Sequence, residues 1–343
     1  MFNPVARKST QQFSQEAKTM SVQVAVVGYG MGKYHCSDIS KTPGLQLYAV
    51  CDIDAAKRQA AQDDWGVKTF ASYEQLLADK KVDLVVLATP HDTHAPMAIA
   101  ALQAGKHVIT EKVMCLNVAE ADAMIAAAKK AGKLLSVFQN RRWDSDYVTV
   151  RHVVEQGMLG EVFQIASCVD GYGQPGGWRA HKKHGGGMLY DWGAHLTDQM
   201  VQLAKSDPDT VFAQMESRVW SVDVDTFAKV MVRFKNGLVG EIEVGCISWI
   251  PRPRWHVRGE KGALLLEGWD DQFRLRTEVN GIKTEMRFDK LPSSWQSYYQ
   301  NISAVLNEGA ELAVKPEEVR KAIQIIEAAF RSAETGQAVR ITN

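Results

Sequence analysis

The chain is poor in the features that mark several large protein classes. It has five cysteines in 343 residues, Cys36, Cys51, Cys115, Cys168 and Cys246, widely spaced and without a C-x-x-C pair. That excludes a disulfide framework or a zinc knuckle and fits the reducing cytoplasm. No apolar run approaches the roughly 20 residues needed to cross a bilayer, so a membrane is excluded as a partner. There is also no excess charge: Lys plus Arg and Asp plus Glu stand at 40 each, for a formal net charge of zero. Nucleic acid, which demands a basic stripe, is excluded too. A chain without net charge resists self-association weakly, so an oligomer is expected.

What remains is an ordinary globular composition, 45% hydrophobic and 23% charged, in a chain long enough for two cores. Residues 1–20 are polar, lack the apolar stretch of a signal peptide and read as a flexible extension. After them, VQVAVV (22–27), QLYAVC (46–51), VDLVVLATP (82–90), KHVITEK (106–112) and KLLSVF (133–138) are short apolar runs separated by helical stretches. The first of these helices is expected from about Met31. This alternation predicts an α/β, doubly wound parallel sheet. From Glu161 the pattern changes to alternating apolar and polar residues, as in VFAQMESRVW, TFAKVMVRF and LVGEIEVGCI, which predicts antiparallel strands covered on one face. Helices are expected at 145–156, 189–204, 295–307 and 316–334. The boundary falls near Gln139–Asp144, giving a dinucleotide-binding domain at 21–142 and an α/β domain at 143–343.

The first chemical motif is GYGMGKYH (28–35), between a strand and a helix. Gly28 permits a tight turn, Gly30 lets backbone approach a pyrophosphate, and the helix N-terminus offers N–H groups to phosphate. The loop Gly28, Tyr29, Gly30, Met31 and Gly32 is thus a cofactor candidate. Asp52 ends the next strand 24 residues on, where a carboxylate accepts from ribose hydroxyls and repels a 2′-phosphate. NAD is favoured, and Lys57 and Arg58 keep NADP open. Asp54 is better placed than Asp52 to cap the following helix.

These motifs, with CDID (51–54), ATPHDTH (88–94), AGKHVITEK (104–112), FQNRRWD (138–144), GGGMLYDWGAHLTDQ (185–199) and AAFRSAETGQAV (328–339), resemble the Gfo/Idh/MocA family of oxidoreductases over about Val22 to Ile341. The resemblance implies an N-terminal Rossmann domain and a C-terminal α/β domain with a large open, mostly antiparallel sheet. That second domain would bind substrate and form a homodimer or homotetramer. It further implies hydride transfer between NAD or NADP and a secondary hydroxyl of a sugar, cyclitol or related polyol. Two departures stand out. The glycines are spaced G-x-G-x-G, with Lys33 where a small residue is expected. The family's Glu-Lys-Pro reads Glu111-Lys112-Val113, and without proline a cis bond costs about 2.5–4 kcal/mol, so the reach of Lys112 is left open.

Hydride transfer from a carbinol needs a proton acceptor and a cation for the developing alkoxide. Lys112 ends a parallel strand at the carboxyl edge, where open α/β sheets bind ligands. Asp191 and His195 lie four apart on a helix, so the aspartate is expected to orient the imidazole. The family's D-x-x-x-H helix carries the same pair, which makes Lys112, Asp191 and His195 the catalytic candidates. Thr89, Pro90, His91, His94 and Glu111 are candidates for lining the cofactor, with His94 reading equally well as a core histidine. His35 reads as a helix-packing residue. By family position Asn140 and Arg141 meet substrate hydroxyls, Arg142 forms an inter-domain ion pair, and Asp198 is structural. Trp178 and Arg179, in a glycine-rich loop, suit covering nicotinamide or gripping substrate. His181 and His184 lack a carboxylate or cysteine at ligand spacing, and no metal is expected. Two other functions share much of this pattern: glycoside cleavage through transient oxidation by bound NAD, and non-catalytic dinucleotide sensing. A sensor has no need of Lys112, Asp191 and His195.

Overall fold

Residues 21–342 are described by the computed structural model; the expected extension at 1–20 lies outside the described residues. The N-terminal half alternates β1 (Val22–Val27), α1 (Tyr29–Ser40), β2 (Leu45–Cys51), α2 (Ala55–Trp65), β3 (Lys68–Phe70), α3 (Tyr73–Ala78), β4 (Leu84–Leu87), α4 (His94–Gln103), β5 (His107–Thr110), α5 (Val118–Ala131) and β6 (Leu135–Val137). The six strands are parallel in the order β3-β2-β1-β4-β5-β6. Helices cover both faces, so Val24, Ala25 and Val26 of β1 and all of β4 are fully buried, which is why these strands read as unbroken apolar runs. The order reverses between β1 and β4, and the crevice outside their carboxyl ends is where such sheets hold ligands.

Local signals set the helix ends. Asp54 accepts from the Ala56 N–H at the start of α2, and Gly66 closes that helix in the left-handed region. Asn117 Oδ1 accepts from Glu120 N while Glu120 Oε2 accepts from Leu116 N, a reciprocal cap on α5. α1 begins two residues earlier than expected, at Tyr29, so the second and third glycines lie inside its first turn.

The second half contains α6 (Ser145–Glu155), β7 (Val162–Asp170), α7 (Ala194–Ala204), β8 (Pro208–Glu216), β9 (Phe227–Phe234), β10 (Val239–Gly245), β11 (Trp255–Gly259), β12 (Gly262–Leu266), β13 (Phe273–Val279), β14 (Ile282–Phe288), α8 (Gln296–Glu308), α9 (Pro316–Thr335) and β15 (Val339–Arg340). Nine strands form one sheet in the order β14-β13-β12-β11-β7-β10-β9-β8-β15. The expectation of antiparallel pairing holds except at β7–β10, which is parallel because β8 and β9 return between them in sequence and pair on the far side of β10. Alternation buries Ala228, Val230, Val232 and Phe234 of β9, between β8, which α9 covers, and β10, which α7 covers, and leaves Lys229, Met231 and Arg233 on the opposite face. α9 buries Val319, Ala322, Ile323, Ile326 and Ala329, a stripe at helical spacing, against β8, α7 and α5. No helix among the described residues is long and apolar enough to cross a membrane.

The helix expected over 189–204 is not uniform. Leu189–Gly193 is a π-helical turn, and α-helical geometry resumes only at Ala194. This turn carries Asp191.

Candidate active site

At the end of β1, Gly28 adopts φ +90°, and a Cβ there would lie 2.5 Å from the Ala88 carbonyl oxygen at the end of β4. Only glycine fits this turn. Gly32 faces β1, and its missing Cβ leaves room for Val26 Cγ1, which would otherwise be 2.7 Å away. The tight G-x-G-x-G spacing thus still supplies the close helix–strand contact. Asp52, 6% exposed, ties the turn to β2: one carboxylate oxygen accepts from Tyr29 N at 2.8 Å and the other from Asp54 N at 2.9 Å. Each oxygen keeps a second lone pair for a ribose hydroxyl. The cradle at Gly28, the unpaired N–H groups of the first turn of α1 and this acid fit a dinucleotide. Lys57 Nζ is 4.0 Å from the same carboxylate.

Beyond the turn, a cavity of about 610 Å³ opens between the two halves. Met31, Thr89, His91, Glu111, Lys112, Asn140, Arg141, Trp178, Arg179, Asp191 and His195 all line it. Besides Gly28, Gly30, Gly32 and Asp52, which form the turn before it, three cofactor candidates do not. Tyr29 turns away from it, and its hydroxyl donates to Asp64 at 2.6 Å and accepts from Trp65 Nε1. His94 is fully buried, with its nitrogens 2.7 Å from the Val113 carbonyl and 3.0 Å from that of Thr89, so it is a core histidine. Pro90 lies in the same turn without reaching the cavity wall.

The Lys112–Val113 peptide is cis although no proline follows the lysine. Lys112 Nζ donates to Asp191 Oδ1 at 2.5 Å and to the Asp191 carbonyl at 3.0 Å. Arg179 Nε donates to the other carboxylate oxygen at 3.2 Å. Burial pushes the Asp191 carboxyl up, but Lys112 and Arg179 outweigh it and hold the group below the usual range. Asp191 is therefore an anion shared by two cations, and it makes no hydrogen bond to His195. The expected pairing fails because the π turn shifts the rotational phase that would stack residues four apart.

His195 is oriented instead by Gln139, whose Oε1 lies 3.2 Å from Nδ1. An amide oxygen only accepts, so Nδ1 carries the proton and Nε2 is left with its lone pair. Burial, then the charges of Lys112, Arg141 and Arg254, hold the imidazole well below its ordinary pKa. It is neutral and basic at Nε2. Gln139 was missed in the sequence, although it directly precedes Asn140 in the FQNRRWD motif. Also missed were Trp192, whose ring lies 4.2 Å from the Arg141 guanidinium carbon, and Trp295 and Tyr34, which line the cavity.

His35 both packs and lines. Its ring bridges the Tyr299 hydroxyl at 2.6 Å and Glu111 at 3.0 Å on the cavity floor. His91, buried at the cavity wall, bonds the Gly185 carbonyl at 2.8 Å and meets Trp178 edge-on. It thereby straps the glycine-rich loop to the parallel sheet, and burial, then His94, lower its pKa to about 3. His184 reaches Asp92 at 3.3 Å. Arg142, as expected, forms a buried bidentate pair with Asp198 and a third bond to Glu318.

Residues 22–139 match the family described as an oxidoreductase family with an NAD-binding Rossmann fold, and residues 147–265 match the GFO/IDH/MocA C-terminal domain. The chain is 30% identical to the uncharacterized oxidoreductase YdgJ of Escherichia coli (strain K12), over 91% of this chain and 96% of the relative. It is 28% identical to the scyllo-inositol 2-dehydrogenase (NADP(+)) IolW of Bacillus subtilis (strain 168), over 94% and 97%. The solved structure of an NAD-binding protein from Listeria innocua superimposes with a TM-score of 0.85 at 38% identity, covering 93% of this chain and 97% of that one. The chain belongs to the Gfo/Idh/MocA family of oxidoreductases, enzymes built on an NAD-binding Rossmann domain.

Proposed function

We propose that this protein oxidises, and in reverse regenerates, a secondary hydroxyl on a sugar, cyclitol or related polyol. The observation that carries the reading is the meeting of Lys112, Arg179 and a neutral, Gln139-held His195 at the cavity beside the dinucleotide cradle. Inositol dehydrogenases among the relatives support the substrate class.

Bound nicotinamide supplies the hydride acceptor. His195 Nε2 takes the hydroxyl proton of the substrate. Its imidazolium is disfavoured by the surrounding cations, so the proton is held briefly and passed on. Lys112 and Arg179 steady the developing alkoxide, and Asp191 keeps both cations aimed at one place. Asn140, 8% exposed on the wall, and Arg141 offer hydrogen-bond groups to neighbouring hydroxyls. Residues 21–142 hold the cofactor and lend Lys112, Asn140 and Arg141 to the substrate, and 143–343 supply the rest of the substrate site.

Asp52 favours NAD by repelling a 2′-phosphate. Asp52→Ala is expected to raise KM for NAD by about tenfold or more and narrow the gap to NADP; unchanged cofactor kinetics would remove Asp52 from the ribose site. The outer face of the nine-stranded sheet presents Phe163, Phe212 and Met231, each nearly half exposed, and is the surface through which two or four copies assemble. Sedimentation should report a dimer or tetramer, and Met231→Glu should shift it towards monomer. The activity itself is tested by incubating the protein with NAD or NADP and a panel of sugars and cyclitols while following reduced-cofactor absorbance. No reduction with any member contradicts the proposal.

A further inference from the structure

A second cavity, of about 420 Å³, lies behind the π turn. It shares Arg179, Asp191 and Trp192 with the first, so the two meet along one wall. The far wall is made by Tyr172 at the end of β7 and by Trp269, between β12 and β13, with Pro175 and Met188 beside them. Tyr172 and Trp269 are 44% and 42% exposed. Tyr172 is braced from behind by a stack with Trp249, ring centroids 4.0 Å apart, and Trp269 lies 6.1 Å from Trp192. Arg254 lies over the Trp269 ring, 4.6 Å from its centroid, so both rings are held in place while each stays partly open on the cavity.

The direction of this space matters. Met31, Thr89 and Glu111 line the first cavity on the parallel-sheet side, where the cofactor belongs. A substrate whose reacting carbon sits against His195 and Lys112 finds room for further atoms past Trp192. Aromatic walls with a few polar groups suit a ring that has apolar C–H faces and a hydroxyl rim. The charged side chains on the second cavity are Asp170, Asp191 and Arg179. Two anions and one cation already shared with Asp191 disfavour a phosphate or carboxylate there.

Resting on the polyol reading above, we infer that the natural substrate is a glycoside or disaccharide, whose second, neutral sugar ring occupies the cavity walled by Tyr172, Trp192 and Trp269. The oxidised ring occupies the first cavity and the glycosidic link passes Arg179.

Matched pairs test this: glucose against cellobiose and maltose, xylose against xylobiose, and myo-inositol against galactinol, with glucose 6-phosphate as a charged control. Reduced cofactor is followed under initial-rate conditions. In at least one pair the longer member should have a kcat/KM higher by about tenfold or more, with the difference mainly in KM. Trp269→Ala and, separately, Tyr172→Ala should bring that ratio to near one. Turnover of single rings with no pair favouring the longer member, or a preference that survives both substitutions, overturns the inference while leaving the polyol reading intact. A preference for the phosphorylated sugar overturns it as well. No turnover by any compound overturns the polyol reading, and this inference with it.

Discussion

Gln139 and His195 come from different halves of the chain, and their contact decides what the histidine can do. Gln139 fixes the proton on Nδ1, while burial and three nearby cations keep the ring neutral. The acid limb of kcat/KM for oxidation should therefore lie well below pH 6.5, because His195 remains unprotonated there; an acid limb at pH 6.5 or above contradicts the assignment. Gln139→Leu removes the orienting acceptor and should lower kcat by about tenfold or more with little change in KM. Lys112 and His195 were legible because each sits in a short motif at a strand or helix end. Gln139 as a partner was not, since sequence spacing says nothing about a contact 56 residues apart.

Among the elements, the π turn at Leu189–Gly193 sets the position of Asp191. Asp225, buried beside it, accepts from Leu189 N at 2.8 Å, and its backbone carbonyl accepts from Met188 N at 3.1 Å. Burial lifts its carboxyl to about 6, against the lowering effect of these backbone hydrogen bonds. The folded state thus holds this proton between pH 3.8 and about 6, where the unfolded chain has released it. The contribution is fully present below pH 3.8 and is lost as pH rises through 6. The stability of the wild type relative to Asp225→Asn, measured by urea unfolding, should fall across that window. Asp225→Ala leaves the buried Leu189 N–H unpaired and should cost about 1–3 kcal/mol, with a loss of activity because Asp191 rides on the turn. The same element explains the misread pairing of Asp191 with His195. Apolar periodicity located the helix at 189–204, but a π insertion leaves no mark in an apolar pattern. Strand pairing was legible to a similar depth: alternation gave the covered faces of β8, β9 and β10, whereas the parallel β7–β10 pair depends on which edge β10 joins.

Across the whole molecule, function and stability draw on the same buried histidines. Burial lowers the pKa of His91 to about 3 and of His107 to about 4, and it lowers those of His94 and His195. Each binds fewer protons folded than unfolded below pH 6.5. Their stabilisation is complete above that pH and is lost as pH falls towards the folded values. Asp225 works in the opposite sense, as do Asp38, Asp144 and Asp170, whose carboxyls burial also raises, but carboxyls start from a lower ordinary pKa, so the histidines dominate above pH 5. Calorimetry should show Tm falling from pH 7.5 to pH 5, and a Tm that rises instead would contradict the neutral assignment. Arg142 joins the turn after β6 to α7 and α9 through Asp198 and Glu318. Asp198→Ala strands a buried guanidinium and should cost about 3–5 kcal/mol.

The proposed mechanism has a neutral His195 beside Lys112 removing a carbinol proton during cofactor reduction. Its most direct test is single-turnover reduction of bound NAD by the best sugar or cyclitol of the panel, comparing wild type with His195→Ala at saturating substrate. The variant should bind NAD as tightly as the wild type, and its reduction step should slow by about 10²–10⁴-fold. An unchanged rate of reduction would contradict it.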